Sequence, residues 1–176
     1  EGKMMAASVS RTADRWFIAF QVDVPDSQFH RKRTGHGVVG ADLGIKAAVT
    51  LSTGESIQAP RPLKRALRRL QIRERRQSRK IEAAKAAMGL AGKRVPKGTR
   101  ISKSKNFLKS SATSARLHAR IANVRADFLH KLTTQLCREN QAVAIEDLNV
   151  SGMLTNEKLA RAIIDVGFYE FRRQIT

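Results

Sequence analysis

The chain has 176 residues, 41% of them hydrophobic, and its 34 Lys+Arg against 15 Asp+Glu give a formal net charge of +19. This hydrophobic fraction supports a folded core, which excludes a fully disordered basic tail. No run of about 18 apolar residues occurs, so no membrane-spanning helix is expected, and the chain does not start with an apolar signal segment. The single cysteine, Cys137, can form neither an internal disulfide nor a zinc site alone, and we expect a reduced intracellular protein with a polyanionic partner.

The first predicted element is a β-hairpin. Apolar residues fall at every second position from Trp16 to Val24, and Met4 to Val9 can pair back across a turn at residues 11–14. We expect Trp16 to lie in a core rather than on a base-stacking surface. Two strands alone are marginal in water, so residues 1–36 are interpreted as the C-terminal strands of a preceding β-barrel-like domain plus a basic linker that contains His30.

Three short strands are predicted next, at residues 38–43, 47–51 and 55–58. The turns between them contain Gly44 and Thr53-Gly54, which suits an antiparallel meander. The two prolines that follow, at positions 60 and 62, end the strands and open a helix.

A long basic helical hairpin is predicted over residues 61–139. Apolar residues at helical spacing indicate one helix from Leu63 to about Met88 and another from about Asn106 to Glu139. Residues 61–131 carry 22 Lys+Arg and three acids, so the whole positive excess of the chain lies in this block. A folded protein gains nothing from such self-repulsion, and the block is interpreted as a phosphate-binding surface; a merely solvated basic face is the alternative. The residues predicted to contact nucleic acid are Arg65, Arg68, Arg69, Arg73, Arg75, Arg76, Arg79, Lys80, Arg116 and Arg120.

A strand and a helix complete the pattern. The continuous apolar run at residues 142–145 predicts a central strand that is buried on both faces. A single helix is predicted from Asn156 to Ile175, and it has no stop signal at its end, which we interpret as the sign of a fragment.

Two acids stand at the ends of predicted strands. Asp42 ends the run that begins at Val38, and Glu146 follows the buried strand 142–145. An ionised carboxylate in such a position needs a cation or a donor partner. If the two strands are neighbours, both carboxylates converge to within about 8 Å, as joint ligation of a metal pair requires. Mg²⁺ suits such a site because it prefers hard oxygen ligands. For each acid alone, a turn or cap role is the alternative.

The other candidate groups are weaker. Asp147 is expected to cap the following turn through Asn149 rather than to bind metal. Asp165, on the last helix, could supply a third ligand, although acids on helix surfaces are common. His118 and His130 lie on the basic helix, where phosphate contact or packing is expected. No Gly-rich phosphate loop, Ser/His/Asp arrangement or zinc spacing occurs.

Two segments resemble motifs of a known family. Gly40-Ala41-Asp42-Leu43-Gly44-Ile45-Lys46, followed by the apolar run 47–51, is similar to the first RuvC motif of TnpB-like transposon proteins. The segment AIEDLNVSGM at residues 144–153 is similar to their second RuvC motif. The helices before and after that motif, and the Trp16 hairpin, also resemble the family, so the resemblance covers nearly the whole chain.

The resemblance implies an α/β fold of the RNase H-like (RuvC) type, in which the basic helical hairpin splits a mixed sheet and residues 37–176 form an incomplete nuclease domain. It implies a transposon-borne, RNA-guided DNA endonuclease that hydrolyses phosphodiester bonds with two Mg²⁺ or Mn²⁺ ions. Asp42 and Glu146 would be the catalytic metal ligands, and a guide RNA and a target DNA the partners.

The resemblance also sets expectations about what is missing. The family's third RuvC acid and its zinc-binding insertion do not occur in these residues, so zinc is expected only in a missing C-terminal part, and the fragment alone is expected to be inactive. No membrane association and no small-molecule cofactor are expected. The implied location is the cytoplasm of a prokaryotic cell, at the nucleoid during action.

Two other functions stay open from the sequence. A module with the same fold could recognise a guide RNA or an RNA–DNA heteroduplex without cleaving it, but such a module would have no need of Asp42 and Glu146. A ribosomal-type RNA-binding protein would explain the charge and would leave the two strand-end acids unexplained.

Overall fold

The structure is a computed structural model that describes residues 2–25, 35 and 37–176. These residues form a mixed α/β structure with a mixed sheet, which confirms the predicted class. The strands are β1 (Lys3–Thr12), β2 (Arg15–Asp23), β3 (Val38–Leu43), β4 (Val49–Leu51), β5 (Ser56–Ile57) and β6 (Ala142–Ile145). The helices are α1 (Pro62–Ala87), α2 (Lys105–Glu139), α3 (Val150–Met153), α4 (Glu157–Val166) and α5 (Phe168–Ile175). Within the described part of the chain, no helix combines the length and the apolar character that crossing a membrane requires.

Two compact units make up the chain. One comprises the described residues of Glu1–Ala6, Phe20–Lys64 and Ile121–Thr176, and the other comprises Ala7–Ala19 and Arg65–Arg120. The predicted linker with His30 and the predicted domain boundary at residues 36/37 fall on residues 26–34 and 36, which lie outside the described residues. The division into domains at that point stays a prediction.

Strands β1 and β2 pair as a two-stranded sheet and are joined by Ala13 and Asp14, which confirms the predicted hairpin. Every residue of both strands is exposed. Trp16 is 66% exposed, and the Arg11 guanidinium carbon lies 5.4 Å from the centre of its ring. The expectation that Trp16 lies in a core is therefore wrong within the described residues, because a two-stranded sheet has no second layer to cover the ring.

The larger sheet has the strand order β5-β4-β3-β6. Strand β3 pairs antiparallel with β4, and β4 pairs antiparallel with β5, as the predicted meander requires. Strand β6 enters on the other side of β3 and pairs parallel with it. A parallel neighbour needs a long crossover connection, and here α1 and α2 supply it.

The core of the first unit lies on one face of this sheet. The strand residues that face it are buried, and they pack with apolar residues of the C-terminal half of α2 and of α4 and α5. The buried members of the cluster are Val39, Ala41, Ala48, Val49, Leu51, Leu129, Leu132, Leu136, Ile163, Val166, Phe168 and Phe171. Residues at alternate positions point to the opposite face, which these helices leave open, and Val38 on that face is 72% exposed.

The one-sided covering corrects the prediction for residues 142–145. Val143 and Ile145 are half-buried against the core, whereas Ala142 and Ala144 are exposed. Strand β6 is the edge strand of the four-stranded sheet, and among the described residues only one of its faces is covered. The prediction was wrong because the residues on the exposed face, Ala142 and Ala144, are apolar but small, so the sequence shows a continuous apolar run although only one face is covered.

Helices α1 and α2 form the predicted helical hairpin, and their bounds agree with the prediction to within about a residue at each end. In the second unit the two helices are antiparallel. The Gln77 side chain donates to the carbonyl of Ser110 at 3.1 Å, and the Lys80 ammonium donates to the carbonyl of Asn106 at 2.9 Å. The Arg73 guanidinium donates to another carbonyl of α2, that of Thr113.

The predicted single helix from Asn156 to Ile175 is wrong in one respect, because it is two helices. Gly167 has φ of 88°, a left-handed conformation that ends α4, and α5 begins at the next residue. Asn156 caps α4 by accepting hydrogen bonds from the backbone of Lys158 and Leu159.

Candidate active site

The two strand-end carboxylates lie side by side on the sheet. The parallel register pairs Ala41 of β3 with Ile145 of β6, so Asp42 and Glu146 are the next residues on neighbouring strands, which lie about 4.8 Å apart. Ala41 is buried in the core and Ile145 is half-buried against it. Because side chains alternate along a strand, Asp42 and Glu146 both face the open side of the sheet.

A groove on this open face contains both acids. Its volume is about 470 Å³, and it is lined by Gly40, Ala41, Asp42, Thr50, Leu51, Ser52, Ala144, Ile145 and Glu146. Gly40 of β3 lies opposite Ala144 of β6, and because both residues are small they leave space in the groove for a ligand. Thr50 lies directly opposite Asp42 on β4. The structure thus brings Asp42, Glu146 and a strand-borne hydroxyl together at one place.

Neither carboxylate of the groove is neutralised by the protein. Within the described residues, Asp42 and Glu146 are exposed and take part in no hydrogen bond or ion pair. Two negative charges on adjacent strands repel each other, and a cation between them would replace the repulsion with attraction. The groove therefore has the charge that a metal site requires.

The oxygen ligands of the groove fit a hard divalent cation. Mg²⁺ typically keeps several of its waters and is held by one or two carboxylates plus substrate phosphate, which two exposed carboxylates can provide. Across the described ranges, no group of three or more His, Cys, Asp or Glu side chains could hold a metal ion, so the donor set does not suit a zinc site of three or four protein ligands. His118 is exposed on α2, and the Nδ1 of His130 lies 3.4 Å from the hydroxyl of Thr134.

The serine of the groove stabilises the strand that carries Asp42. The Ser52 hydroxyl accepts a hydrogen bond from the backbone N–H of Gly40 at 3.0 Å, and the Ser52 N–H donates to the Gly40 carbonyl at 2.8 Å. These contacts extend the pairing of β3 and β4 beyond Leu51. The hydroxyl proton of Ser52 stays available to a ligand because its oxygen is the acceptor in the first bond.

An arginine holds the turn that follows Asp42. The Arg61 guanidinium donates to the carbonyls of Ile45 and Lys46, the latter at 2.6 Å. Arg61 itself has φ of 46°, an uncommon conformation for a residue with a side chain. Sequence reasoning missed this contact, and the only signal was an arginine between two prolines at the end of the meander.

Asp165 lies away from the groove and performs another task. It is 4% exposed, and its two carboxylate oxygens accept the backbone N–H groups of Leu63 and Lys64, each at 2.9 Å. It therefore caps the first turn of α1 from a different helix. The alternative role as a third metal ligand does not fit this position, because Asp165 does not line the groove that contains Asp42 and Glu146.

Asp147 is likewise separate from the groove. Its Oδ1 lies 2.6 Å from the Arg172 guanidinium, in an exposed ion pair. The expected cap of the next turn is made by Asn149 itself, whose side chain accepts a hydrogen bond from the N–H of Gly152 at 3.0 Å. Asp147 thus has a partner and Glu146 has none among the described residues, as expected for adjacent acids that point to opposite faces.

The ten residues predicted to contact nucleic acid fall into three groups in the second unit. Arg73 and Lys80 are half-buried and donate to carbonyls of α2, so they hold the hairpin together. Arg116 is exposed and pairs with Asp14 at 3.3 Å. The remaining seven are exposed and make no hydrogen bond or ion pair with described residues: Arg65, Arg68, Arg69, Arg75, Arg76, Arg79 and Arg120. Free guanidinium groups in this number are available to phosphates.

Comparison with known proteins identifies the family. Residues 19–157 match the OrfB_IS605 family, which is described as "Probable transposase". The chain therefore belongs to this transposase family, and the resemblance to TnpB-like transposon proteins is confirmed.

Three relatives give the match more detail. A Streptomyces pristinaespiralis protein named "Putative RNA-guided DNA endonuclease" is 41% identical over 169 residues, which cover 96% of this chain and 36% of that protein. "Putative RNA-guided DNA endonuclease InsQ" of Escherichia coli K12 is 28% identical over 189 residues, 99% of this chain and 42% of that protein. A similarly named Mycobacterium tuberculosis protein is 29% identical over 185 residues, 99% of this chain and 36% of that protein. The chain spans well under half the length of these relatives.

Proposed function

We propose that this chain carries two of the catalytic acids, Asp42 and Glu146, of a RuvC-type, RNase H-like nuclease that hydrolyses DNA under the direction of a guide RNA. The observation that carries the proposal is the position of Asp42 and Glu146 on neighbouring parallel strands, facing one groove without a cationic partner. The mixed sheet, whose paired strands β3 and β6 are separated in sequence by α1 and α2, supports the RNase H-like assignment. Family membership and the relatives' names support the reaction class.

Asp42 and Glu146 are proposed to hold the divalent cations, two Mg²⁺ or Mn²⁺ ions. Divalent cations held there would supply activation of the attacking water and stabilisation of the leaving oxygen of a phosphodiester. The carboxylates of the chain supply the negative charge that holds them. Thr50 and Ser52 are placed to hydrogen-bond a phosphate oxygen or a water in the groove, which would orient the scissile bond.

The basic helical hairpin is proposed to bind the guide RNA or its heteroduplex with the target DNA. Seven of its exposed arginines have no acidic partner among the described residues, so phosphate binding to them releases counterions and replaces no existing ion pair. Contacts of this kind position the nucleic acid and carry no sequence information. Base pairing with the guide would then select the target, as in other RNA-guided systems.

Mutation of Asp42 in the full-length protein loaded with its guide RNA tests the proposal. Asp42→Ala should lower DNA cleavage by at least about a hundredfold, because the remaining carboxylate cannot hold the reacting groups within about 1 Å of their positions. Guide RNA affinity should stay unchanged, because the Asp42 side chain makes no hydrogen bond or ion pair with described residues and its removal should leave the fold and the basic hairpin intact. Asp147→Ala is the matched control, since it removes a neighbouring acid outside the groove and should retain cleavage.

Three outcomes would count against the proposal. Cleavage that persists in Asp42→Ala would refute the catalytic role. Loss of RNA binding together with cleavage would indicate that Asp42 maintains the fold. A wild-type protein that binds guide and target but does not cut with Mg²⁺ or Mn²⁺ would favour the non-cleaving binding module.

A further inference from the structure

The second unit contains an apolar pocket that the proposed function does not use. It lies between α1 and the segment that leads into α2, and its volume is about 360 Å³, within the range of about 300–1,000 Å³ that is usual for ligand sites. Its apolar walls are Ile81 and Ala84 on α1 and Ile101 and Phe107 on the other side. These four side chains are half-buried, so part of their surface faces the pocket and is open to a ligand.

Local hydrogen bonds hold the aromatic wall of this pocket in place. The Ser104 hydroxyl caps α2 by accepting the N–H of Phe107 at 3.2 Å, which fixes the backbone that carries the ring. The Lys103 ammonium lies 5.7 Å from the centre of the same ring. Across the pocket, the Lys80 ammonium donates to the Asn106 carbonyl at 2.9 Å and joins the two helices. The ring is thus presented by a rigid helix end beside two lysines.

A basic groove adjoins the apolar pocket. Its volume is about 450 Å³, and it is lined by Arg73, Arg76, Lys80, Asn106, Lys109, Ser110 and Thr113. Lys80 and Asn106 line both cavities, so the two are adjacent. The first turn of α2, which borders the pocket, contains no acidic residue, and the positive end of its dipole adds to the attraction for anions. An apolar slot beside a cationic groove matches a nucleotide, whose flat base and charged phosphate are joined.

We propose that the apolar pocket holds an unstacked base of a single-stranded RNA segment, stacked on Phe107, while the adjoining phosphates lie in the basic groove. Phe107 is the only Phe, Tyr or Trp between residues 61 and 127, and the other aromatic residue of the hairpin, Phe128, packs against the core of the first unit. Sequence-specific RNA recognition mostly uses bases splayed out from loops and bulges and stacked on aromatic side chains. This inference rests on the proposed function, because it assumes that the hairpin binds RNA. It goes further by naming the pocket in which an unpaired nucleotide is held.

The test compares two RNA ligands with the 176-residue chain. One is a stem-loop with an unpaired loop, and the other is a fully paired duplex of equal length. Phe107→Ala should weaken stem-loop binding by roughly 5- to 150-fold, as expected for the loss of one base–aromatic stack, and should leave duplex affinity and the salt dependence of both unchanged. Leu108→Ala is the matched control, because Leu108 is the next residue, is 53% exposed and does not line the pocket.

A second variant guards against misfolding. Ala84→Leu fills the pocket from the α1 side with a good helix former, and it should weaken stem-loop binding as Phe107→Ala does. Arg76→Gln, in the basic groove, should weaken the binding of both RNAs and lower the log–log salt slope for the stem-loop, whose loop is single-stranded, by about 0.7. These responses separate a base contact from a phosphate contact.

The possible results distinguish the pocket from the wider proposal. A wild-type chain that binds neither RNA at low salt would overturn both the pocket assignment and nucleic-acid binding by the hairpin. Binding of both RNAs, with Phe107→Ala and Ala84→Leu affecting both equally or neither, would overturn the pocket alone. Equal binding of single-stranded DNA of the same sequence, with the same loss in Phe107→Ala, would overturn the assignment to RNA.

Discussion

Asp165 is predicted to stabilise the fold by capping α1 from α4. Both of its oxygens accept backbone N–H groups of the first turn at 2.9 Å, and α1 has no acidic residue of its own there. Loss of a helix cap costs about 0.5–2 kcal/mol, and leaving a buried donor unpaired costs about 1–3 kcal/mol. Because the two contributions overlap, we expect Asp165→Ala to lower the free energy of unfolding by about 2–4 kcal/mol. In a chain of this size that corresponds to a fall in Tm of about 4–16 °C, measurable by thermal circular dichroism.

Glu157→Gln provides the matched control for this prediction. Glu157 is an exposed acid on the same helix, and its neutralisation should cost less than about 1 kcal/mol. Equal stabilities of Asp165→Ala and Glu157→Gln would refute the capping argument. A second readout addresses the alternative role of Asp165, because Asp165→Asn should retain Mn²⁺ binding. Loss of Mn²⁺ with unchanged stability would make Asp165 a ligand instead.

Two further predictions concern α5. Hydrogen bonds from Arg173 and then Gln174 lower the pKa of Glu170 from 4.5 to about 2, so its stabilising contribution should be full above pH 4.5 and disappear as the pH falls toward about 2. The Tm difference between wild type and Glu170→Gln, measured across that range, should shrink with falling pH, and a constant difference would contradict the assignment. Gly167→Ala should lower the free energy of unfolding, measured in urea, by about 1–3 kcal/mol. The reasons are that the φ of Gly167 is 88° and that the new Cβ would lie 2.9 Å from the Cδ1 of Leu129. An unchanged free energy of unfolding would contradict this argument.

Long periodic segments were predictable from the sequence, and the helical hairpin shows why. A helix of 26 or 35 residues repeats its apolar positions many times, so the pattern defines both ends closely. The last helix lacked such repetition around Gly167. A single glycine inside an apolar helical pattern is compatible with a continuous helix, so the sequence alone predicted one helix. The left-handed backbone conformation of Gly167 in the structure shows that the chain turns there between two helices.

The candidate site was predictable in its residues and not in its surroundings. An acid directly after an apolar strand is conspicuous in any sequence, which is why Asp42 and Glu146 could be named. Thr50 became recognisable only when the register placed it opposite Asp42. Arg61 contributes through two backbone carbonyls, and no local pattern predicts which turn a distant arginine will contact.

Burial was the least predictable property. The sequence of β6 contains only apolar residues, yet its outer face is exposed because the helices cover one side of the sheet. Asp165 shows the opposite case, since an acid on a helix is usually solvated and here it is buried against the backbone of α1. Both depend on the tertiary arrangement, which local periodicity does not encode.

Divalent-cation binding to the 176-residue chain tests the central claim most directly. We expect wild type to bind Mn²⁺ in an electron paramagnetic resonance titration, without cutting DNA, since two carboxylates can hold an ion that keeps its waters. Asp42→Asn and Glu146→Gln should each abolish the binding, and Asp147→Asn, which removes the neighbouring acid paired with Arg172, should leave it intact. Mn²⁺ affinity that survives in both groove variants, or that falls equally in Asp147→Asn, would contradict joint ligation by Asp42 and Glu146.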